Sequence, residues 1–242
     1  MLLHALRAEL IKCRHSPVWF AFLLLPIFPA VLGTFNYLSN LEVLENGWYS
    51  LWSQHTIFSS CFFMPAQFGV FCAWQWRLEH AGHNWNGLMT APAPAGTLYL
   101  AKLIVSMGIS LLAQVCIGVF FLLSGLLAGI QAPLPPELPG YLLFGAIGGM
   151  AVCSVELFIG LIARTFAVPV AVGLVGGIAG LLITSRGAGL AFPYSLLCLG
   201  MRANNPQLHL PAAVFLISSA LYTLLFALLS IHILRTRDVT AG

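Results

Sequence analysis

The sequence predicts an all-α polytopic membrane protein. It has six transmembrane helices, an amphipathic interfacial helix ahead of them, a cytoplasmic coupling helix between the second and third, and a short re-entrant or interfacial element before the sixth. Three observations point there. Only 7% of the 242 residues are charged and 60% are hydrophobic, with a mean hydropathy of +0.94, whereas soluble domains carry roughly 25% charge. The charges that exist separate apolar stretches of about 20 residues, the length a helix needs to cross a bilayer. With six such stretches set aside, too little chain remains for a soluble catalytic domain, so an energy source lies within the spans or on another chain. The net charge of +3, carried by dispersed basic residues, offers no footprint for nucleic acid.

Residues 1–15 place Leu3, Leu6, Leu10 and Cys13 at helical spacing, with Arg7, Lys12 and Arg14 elsewhere around the wheel, as in a helix lying in the membrane interface. This basic segment leads into a full-length span with no small-residue cleavage pattern, so the N-terminus is expected to stay attached. The first span is expected over 17–39, starting at Pro17 and kinked by Pro26 and Pro29. Glu42, Glu45 and Asn46 mark a polar loop. No charge occurs between Glu45 and Arg77, which fits a second span over 56–76 ending at an aromatic belt of Trp74 and Trp76.

A third span is expected over 103–130. Prolines from Pro133 to Pro139 then stop the chain before a fourth over 141–163. Arg164 and Pro169 turn it into a fifth over 167–185. The apolar piece 190–199 is too short to cross, and the sixth span takes 210–234. The whole chain thus reads as one transmembrane domain, 1–242. Arg7, Lys12, Arg14, Arg77, Lys102, Arg164, Arg235 and Arg237 fall on one side, against Arg186 and Arg202 on the other. The positive-inside rule therefore places both termini in the cytoplasm, with Glu42, Glu45 and Glu137 outside.

Enzyme motifs are absent: no GxxxxGK[ST] phosphate loop, no HExxH zinc helix, no GxSxG elbow. An intramembrane enzyme would need such a set. His80 and His83 have the spacing of a metal pair, but without further ligands nearby they read as ordinary residues of a polar helix. Cys13, Cys61, Cys72, Cys116, Cys153 and Cys198 show no CxxC spacing and read as small core residues; only Cys198 lies where a loop would expose it. Glu156 sits well inside the fourth span, where an ionised acid costs roughly 2.5 to 3.5 kcal/mol. It is expected either to face a transport path or to be a buried carboxyl bonded to a hydroxyl such as Ser154 or to a carbonyl. Gly125 with Gly129, Gly145 with Gly149, Gly173 with Gly177 and Gly176 with Gly180 form small-residue faces for close helix packing. Phe62, Phe63, Trp74 and Phe121 read as core packing or as the wall of a substrate path.

The most informative stretch is Arg77 to Lys102. Its polar residues Glu79 to Asn86 surround Trp85, Leu88 and Met89, and Pro92 and Pro94 end the helix before Tyr99 and Lys102 open the next span. This describes a surface helix with an apolar face and a protruding polar face, suited to docking into a partner.

Two patterns here resemble the ABC type-2 permeases, above all the six-span subunits of lantibiotic-immunity and bacitracin-resistance transporters. One is Leu6, Glu9, Lys12 and Ser16 just before the first span. The other is Glu79, Trp85, Leu88, Met89 and Pro92, followed by Tyr99, Lys102 and Leu103. With the six-span layout the resemblance covers the whole chain; it departs at Ala93, Pro94, Ala95 and Gly96, where many relatives carry a basic or hydroxyl residue.

The resemblance implies a non-catalytic permease in a bacterial cytoplasmic membrane. It would pair with a second like or unlike permease and two ABC ATPase subunits that bind the ATP and Mg, with no cofactor on this chain. Coupling to the ATPase would fall to Glu9, Lys12, Arg77, Glu79, His83, Trp85, Leu88, Pro92 and Lys102, and Glu156 would lie on a possible transport path. The implied cargo is an amphipathic, lantibiotic-like peptide, or a hydrophobic drug or lipid. A six-span ion-coupled carrier or membrane scaffold without an ATPase is the alternative.

Overall fold

The computed structural model describes residues 1–14, 16–81, 93–163 and 165–236. The coupling candidates His83, Trp85, Leu88 and Pro92, together with Met89, Arg164 and Arg237, lie outside the described residues. Those described form helices and connections without a strand, and six of their helices are long and apolar enough to cross a membrane. Span 1 is Val18–Ser39, span 2 Gly47–Arg77, span 3 Ala95–Leu127, span 4 Leu138–Ile162, span 5 Ala167–Ser185 and span 6 Ala212–Thr236. A helix over Leu2–Arg14 precedes them. Short connections make spans 1 and 2, 3 and 4, and 4 and 5 antiparallel neighbours in sequence. The end of the bundle carrying Leu2–Arg14 is called proximal below, and the opposite end distal.

Span 1 breaks into Val18–Leu24 and Ile27–Ser39. Pro26 has no N–H to give the Phe22 carbonyl four residues back, and Gln67 Nε2 of span 2 donates to that carbonyl instead, at 3.0 Å. The start of the span is held by Ser16, whose Oγ accepts the Val18 amide at 3.1 Å, as an N-cap hydroxyl does.

Span 2 begins at Gly47, well before residue 56, where hydropathy placed it. Its first turns carry Ser53, Gln54, His55 and Thr56, which lower the apolar score. Span 1 satisfies two of them: Thr34 bonds His55 at 2.9 Å and Asn36 donates to Gln54 at 2.6 Å. Span 2 also contains a π-turn at Ser59–Phe63 and continues helically to His80.

Spans 2 and 4 form the centre, with 67% and 61% of their most apolar stretches buried, against 28% for span 5 and 22% for span 6. Indole donors fasten span 2: Trp48 to the Ala132 carbonyl, Trp52 to Met201 and Trp76 to Leu157, at 2.8 to 2.9 Å. Trp76 is therefore a core residue rather than part of an interfacial belt; it is fully buried, whereas Trp74 is only half-buried. Phe121 is a core residue, buried edge-on against Trp48 and Trp52, while Phe63 stacks on Phe28.

The piece too short to cross is a 3-10 turn, Gly189–Ala191, followed by the helix Pro193–Gly200, every residue of which is buried. This short helix packs on spans 4 and 5. Cys198, on it, is buried as well, its Sγ 4.0 Å from Cys61 Sγ, so burial and not loop exposure describes it. The glycines of spans 4 and 5 serve contacts within the chain, and Gly125 meets Trp48, but Gly129 lies past the end of span 3 at a φ of 73° with nothing within 4 Å, so Gly125 and Gly129 form no helical face. A Cβ at Gly173 or Gly177 would collide with the Pro65 or Cys61 carbonyl of span 2, and one at Gly176 with the Tyr194 ring.

Candidate functional site

The Leu2–Arg14 helix buries Glu9 and Cys13 and leaves Leu3 and Leu10 exposed. Its inward face is therefore rotated from the apolar stripe seen in sequence, because what receives it is not purely apolar. Glu79, near the end of the helix that continues span 2, and Lys102, in the second turn of span 3, wait there, both buried.

The four side chains close a ring. Lys12 Nζ donates to Glu9 Oε1 and to Glu79 Oε1, each at 2.7 Å. Lys102 Nζ donates to Glu9 Oε2 at 3.0 Å, to Glu79 Oε1 at 2.8 Å and to the Gln75 carbonyl at 2.8 Å. All three ammonium protons of Lys102 are thus placed, and the Trp76 ring lies 4.8 Å from its nitrogen.

Two cations and two carboxylates cancel. A buried charge set survives when each ion is paired and hydrogen-bonded, and among the described residues only Glu79 Oε2 in this ring has no partner. Burial works against the charge of Glu79, but Lys102 and Lys12 outweigh it and hold the carboxyl below its ordinary value. Burial likewise opposes the charge of Lys12, and Glu79 and Glu9 overcome it, raising the amine.

The ring joins residues up to 93 apart in sequence. It fastens the N-terminal helix to both flanks of the 82–92 segment: Gln75, Trp76 and Glu79 on one side, Lys102 on the other. Of the coupling candidates, Glu9, Lys12, Glu79 and Lys102 meet in this one cluster, where all but Lys12 are buried. Arg77 is exposed. It lines a cavity of about 420 Å³ between the end of span 2 and the turn joining spans 4 and 5, with His80, Gly160, Phe166 and Pro169. His80 bonds the Gly160 carbonyl at 3.0 Å, and no group of three or more metal-ligating side chains occurs among the described residues.

Glu156 is fully buried in span 4. Its partner is neither Ser154, which donates to the Ala151 carbonyl, nor a carbonyl. Tyr194 of the short helix donates to Glu156 Oε1 at 2.6 Å, across 38 residues of sequence, and Oε2 has no partner among the described residues. Tyr194 went unnoticed in sequence although one signal was present, since a tyrosine in a short apolar element must find a partner for its hydroxyl when buried. Gln75 and Trp76 of the ring carried no such signal, as one acts through its backbone and the other through its ring face.

No curated protein matches the chain. The sequence profile of the ABC-2 family transporter proteins matches residues 5–180, well over half of its length. The matched stretch contains every member of the ionic ring and Glu156, and it ends before the Tyr194 helix and span 6. Members of this family are the membrane subunits of transporters that work with an ABC ATPase. The chain belongs to the ABC-2 family of transporter proteins.

Proposed function

We propose that this chain is the permease subunit of a bacterial ABC exporter, driven by ATP and Mg bound to two copies of a separate ATPase and assembled with a second permease. Both termini, and hence the proximal end, face the cytoplasm, as the distribution of basic residues favours. The cargo is an amphipathic peptide of the lantibiotic class, which makes the subunit one of immunity or antibiotic resistance; a hydrophobic drug or lipid is the second cargo class.

The observation that carries this reading is the ionic ring. The segment 82–92 holds the candidates Trp85, Leu88 and Pro92 for contact with the ATPase. It lies in sequence between Glu79 and Lys102, and these two are tied to each other and to the N-terminal helix. A push on that segment by closing ATPases is then delivered to spans 2 and 3 and the interfacial helix together, as a rigid joint delivers it, and shifts the dimer between two arrangements. Exposed Arg77 and the cavity beside it add to the surface the ATPase meets.

The test is purification of the chain from its native membrane, identification of co-purifying proteins by mass spectrometry, and assay for vanadate-sensitive ATP hydrolysis. A stoichiometric ATPase is expected. Replacing Trp85 is expected to uncouple hydrolysis from transport while the chain stays folded. Unchanged transport would remove the segment from the mechanism.

A second reading, an ion-coupled carrier without an ATPase, draws on one observation, the buried Glu156 with an unpartnered oxygen. It requires transport that follows an ion gradient, continues without the ATPase and is lost in Glu156→Gln.

A further inference from the structure

At the distal end, spans 2 and 4 and the chain leaving the short helix surround an open cavity of about 730 Å³. Its cation is Arg202. Nε donates to the Leu208 carbonyl at 3.1 Å and Nη1 to the Leu199 and Gly200 carbonyls at 3.0 and 3.2 Å. The guanidinium carbon lies 5.5 Å from the centre of the Phe144 ring and 5.9 Å from that of Tyr141. These bonds fix the fork and leave the two donors of Nη2 for a ligand. None of the ion pairs among the described residues involves Arg202, so this is a positioned cation without a carboxylate.

The turn that presents it is the left-handed cap of the short helix, closed by the Ala203 amide on the Cys198 carbonyl at 2.9 Å and the Arg202 amide on the Leu199 carbonyl at 3.1 Å. Arg202 and Asn204 have φ of 53° and 64°, the left-handed region that an arginine rarely occupies. Tyr141 holds the turn by donating to the Pro206 carbonyl at 2.7 Å, and Trp52 by donating to Met201 at 2.9 Å.

The cavity also has an anion and an apolar side. Glu137 lines it, exposed, accepting the Tyr49 hydroxyl at 2.8 Å. Phe144, Leu208 and Leu210 supply apolar wall, backed by buried Phe215. Glu137 directly precedes span 4, and Leu210 lies two residues before span 6. The site therefore stands at the level of the span ends, where lipid headgroups lie.

We propose that this cavity binds the headgroup of a zwitterionic aminophospholipid, with its phosphodiester on Arg202, its ammonium on Glu137 and the start of its acyl chains against Phe144, Leu208 and Leu210. Arginine suits phosphate through its planar fork. A ligand that is only an anion leaves Glu137 facing a second negative charge, whereas an amine and a phosphate in one headgroup satisfy both ends. The site stands apart from the transport reading and survives its failure.

The test uses the full purified chain in nanodiscs containing equal phosphatidylethanolamine and phosphatidylglycerol, with retained lipid counted by native mass spectrometry. Phosphatidylethanolamine is expected to be retained about fivefold over phosphatidylglycerol, the size of one partly exposed charge pair. E137Q is expected to abolish that preference, and R202Q to lower retention of both lipids roughly tenfold. Since R202Q also removes three bonds from the turn, R202K and a thermal melt are measured beside it. E137Q alters one exposed hydrogen bond and keeps the test decisive if R202Q does not fold. Equal retention of the two lipids by the unaltered chain, or a preference that survives E137Q, overturns the proposal. Displacement of phosphatidylethanolamine by millimolar inorganic phosphate overturns it too, in favour of a free-anion site.

Discussion

The proximal ring and the Glu156–Tyr194 pair are two ways of keeping an acid inside a helical bundle. In the ring two carboxylates and two ammonium groups cancel, and three chain segments are bound at once. At Glu156 a single carboxyl meets a single hydroxyl, and one of its oxygens has nothing to bond among the described residues. The difference lies in what removal leaves behind. Taking Lys102 from the ring strands a buried charge, whereas taking the tyrosine from Glu156 removes one hydrogen bond. The ring should therefore dominate both stability and the geometry of the proximal end.

Lys102→Met is the most direct way to break this contrast. It leaves Glu9 and Glu79 sharing Lys12 alone, and a stranded buried charge costs about 3 to 5 kcal/mol, read as a fall in melting temperature of the detergent-solubilised chain. Adding Glu79→Gln restores neutrality and should recover part of the loss. A double variant no better than the single one would show that packing, and not charge balance, sets the effect. Tyr194→Phe comes next. It leaves both Glu156 oxygens without a donor for about 1 to 3 kcal/mol, and Glu156→Leu on the same background should return some of it.

The smallest effect is expected from Lys12→Ala, about 1 kcal/mol or less. Its side chain is 28% exposed, where solvent screens the pairing, and Lys102 still serves both carboxylates. The pH dependence of the ring follows from the same pairings. Glu79 lies below its ordinary 4.5, so its contribution is complete above that value and is lost as pH falls through the lower folded value. Lys12 lies above 10.5, so its contribution is complete below that value and is lost as pH rises through the higher folded one. Limited proteolysis at the N-terminal helix should therefore be flat from about pH 5 to pH 10. A step near neutrality would mean that another group holds the helix.

The spans were legible in the sequence because apolar length is a local property. Span 2 came out short there, since the polar side chains of its first turns are satisfied by span 1, and such pairing is invisible to hydropathy. The residues of the ring were legible as well, each standing in one of two motifs beside a span. That they would meet was not: Glu9 and Lys102 are brought together only by packing, and the helical wheel put Lys12 off the apolar stripe. Tyr194 and Arg202 escaped for a related reason. Each acts through a turn or short helix that carries no periodicity, and Arg202 was only one of two basic residues on the minority side of the charge count.

The short Pro193–Gly200 helix also bears on how the chain is made. Glu156 leaves the ribosome on span 4 before the residue that will bond it exists, and Tyr194 follows 38 residues later, after span 5. At about 5 to 20 residues per second, the carboxyl waits on the order of seconds. During that wait it must be held by water, by lipid headgroups or by the insertion machinery. The short helix then has to settle against spans 4 and 5 before their core can close, so final assembly of this bundle waits for the Pro193–Gly200 segment to be made.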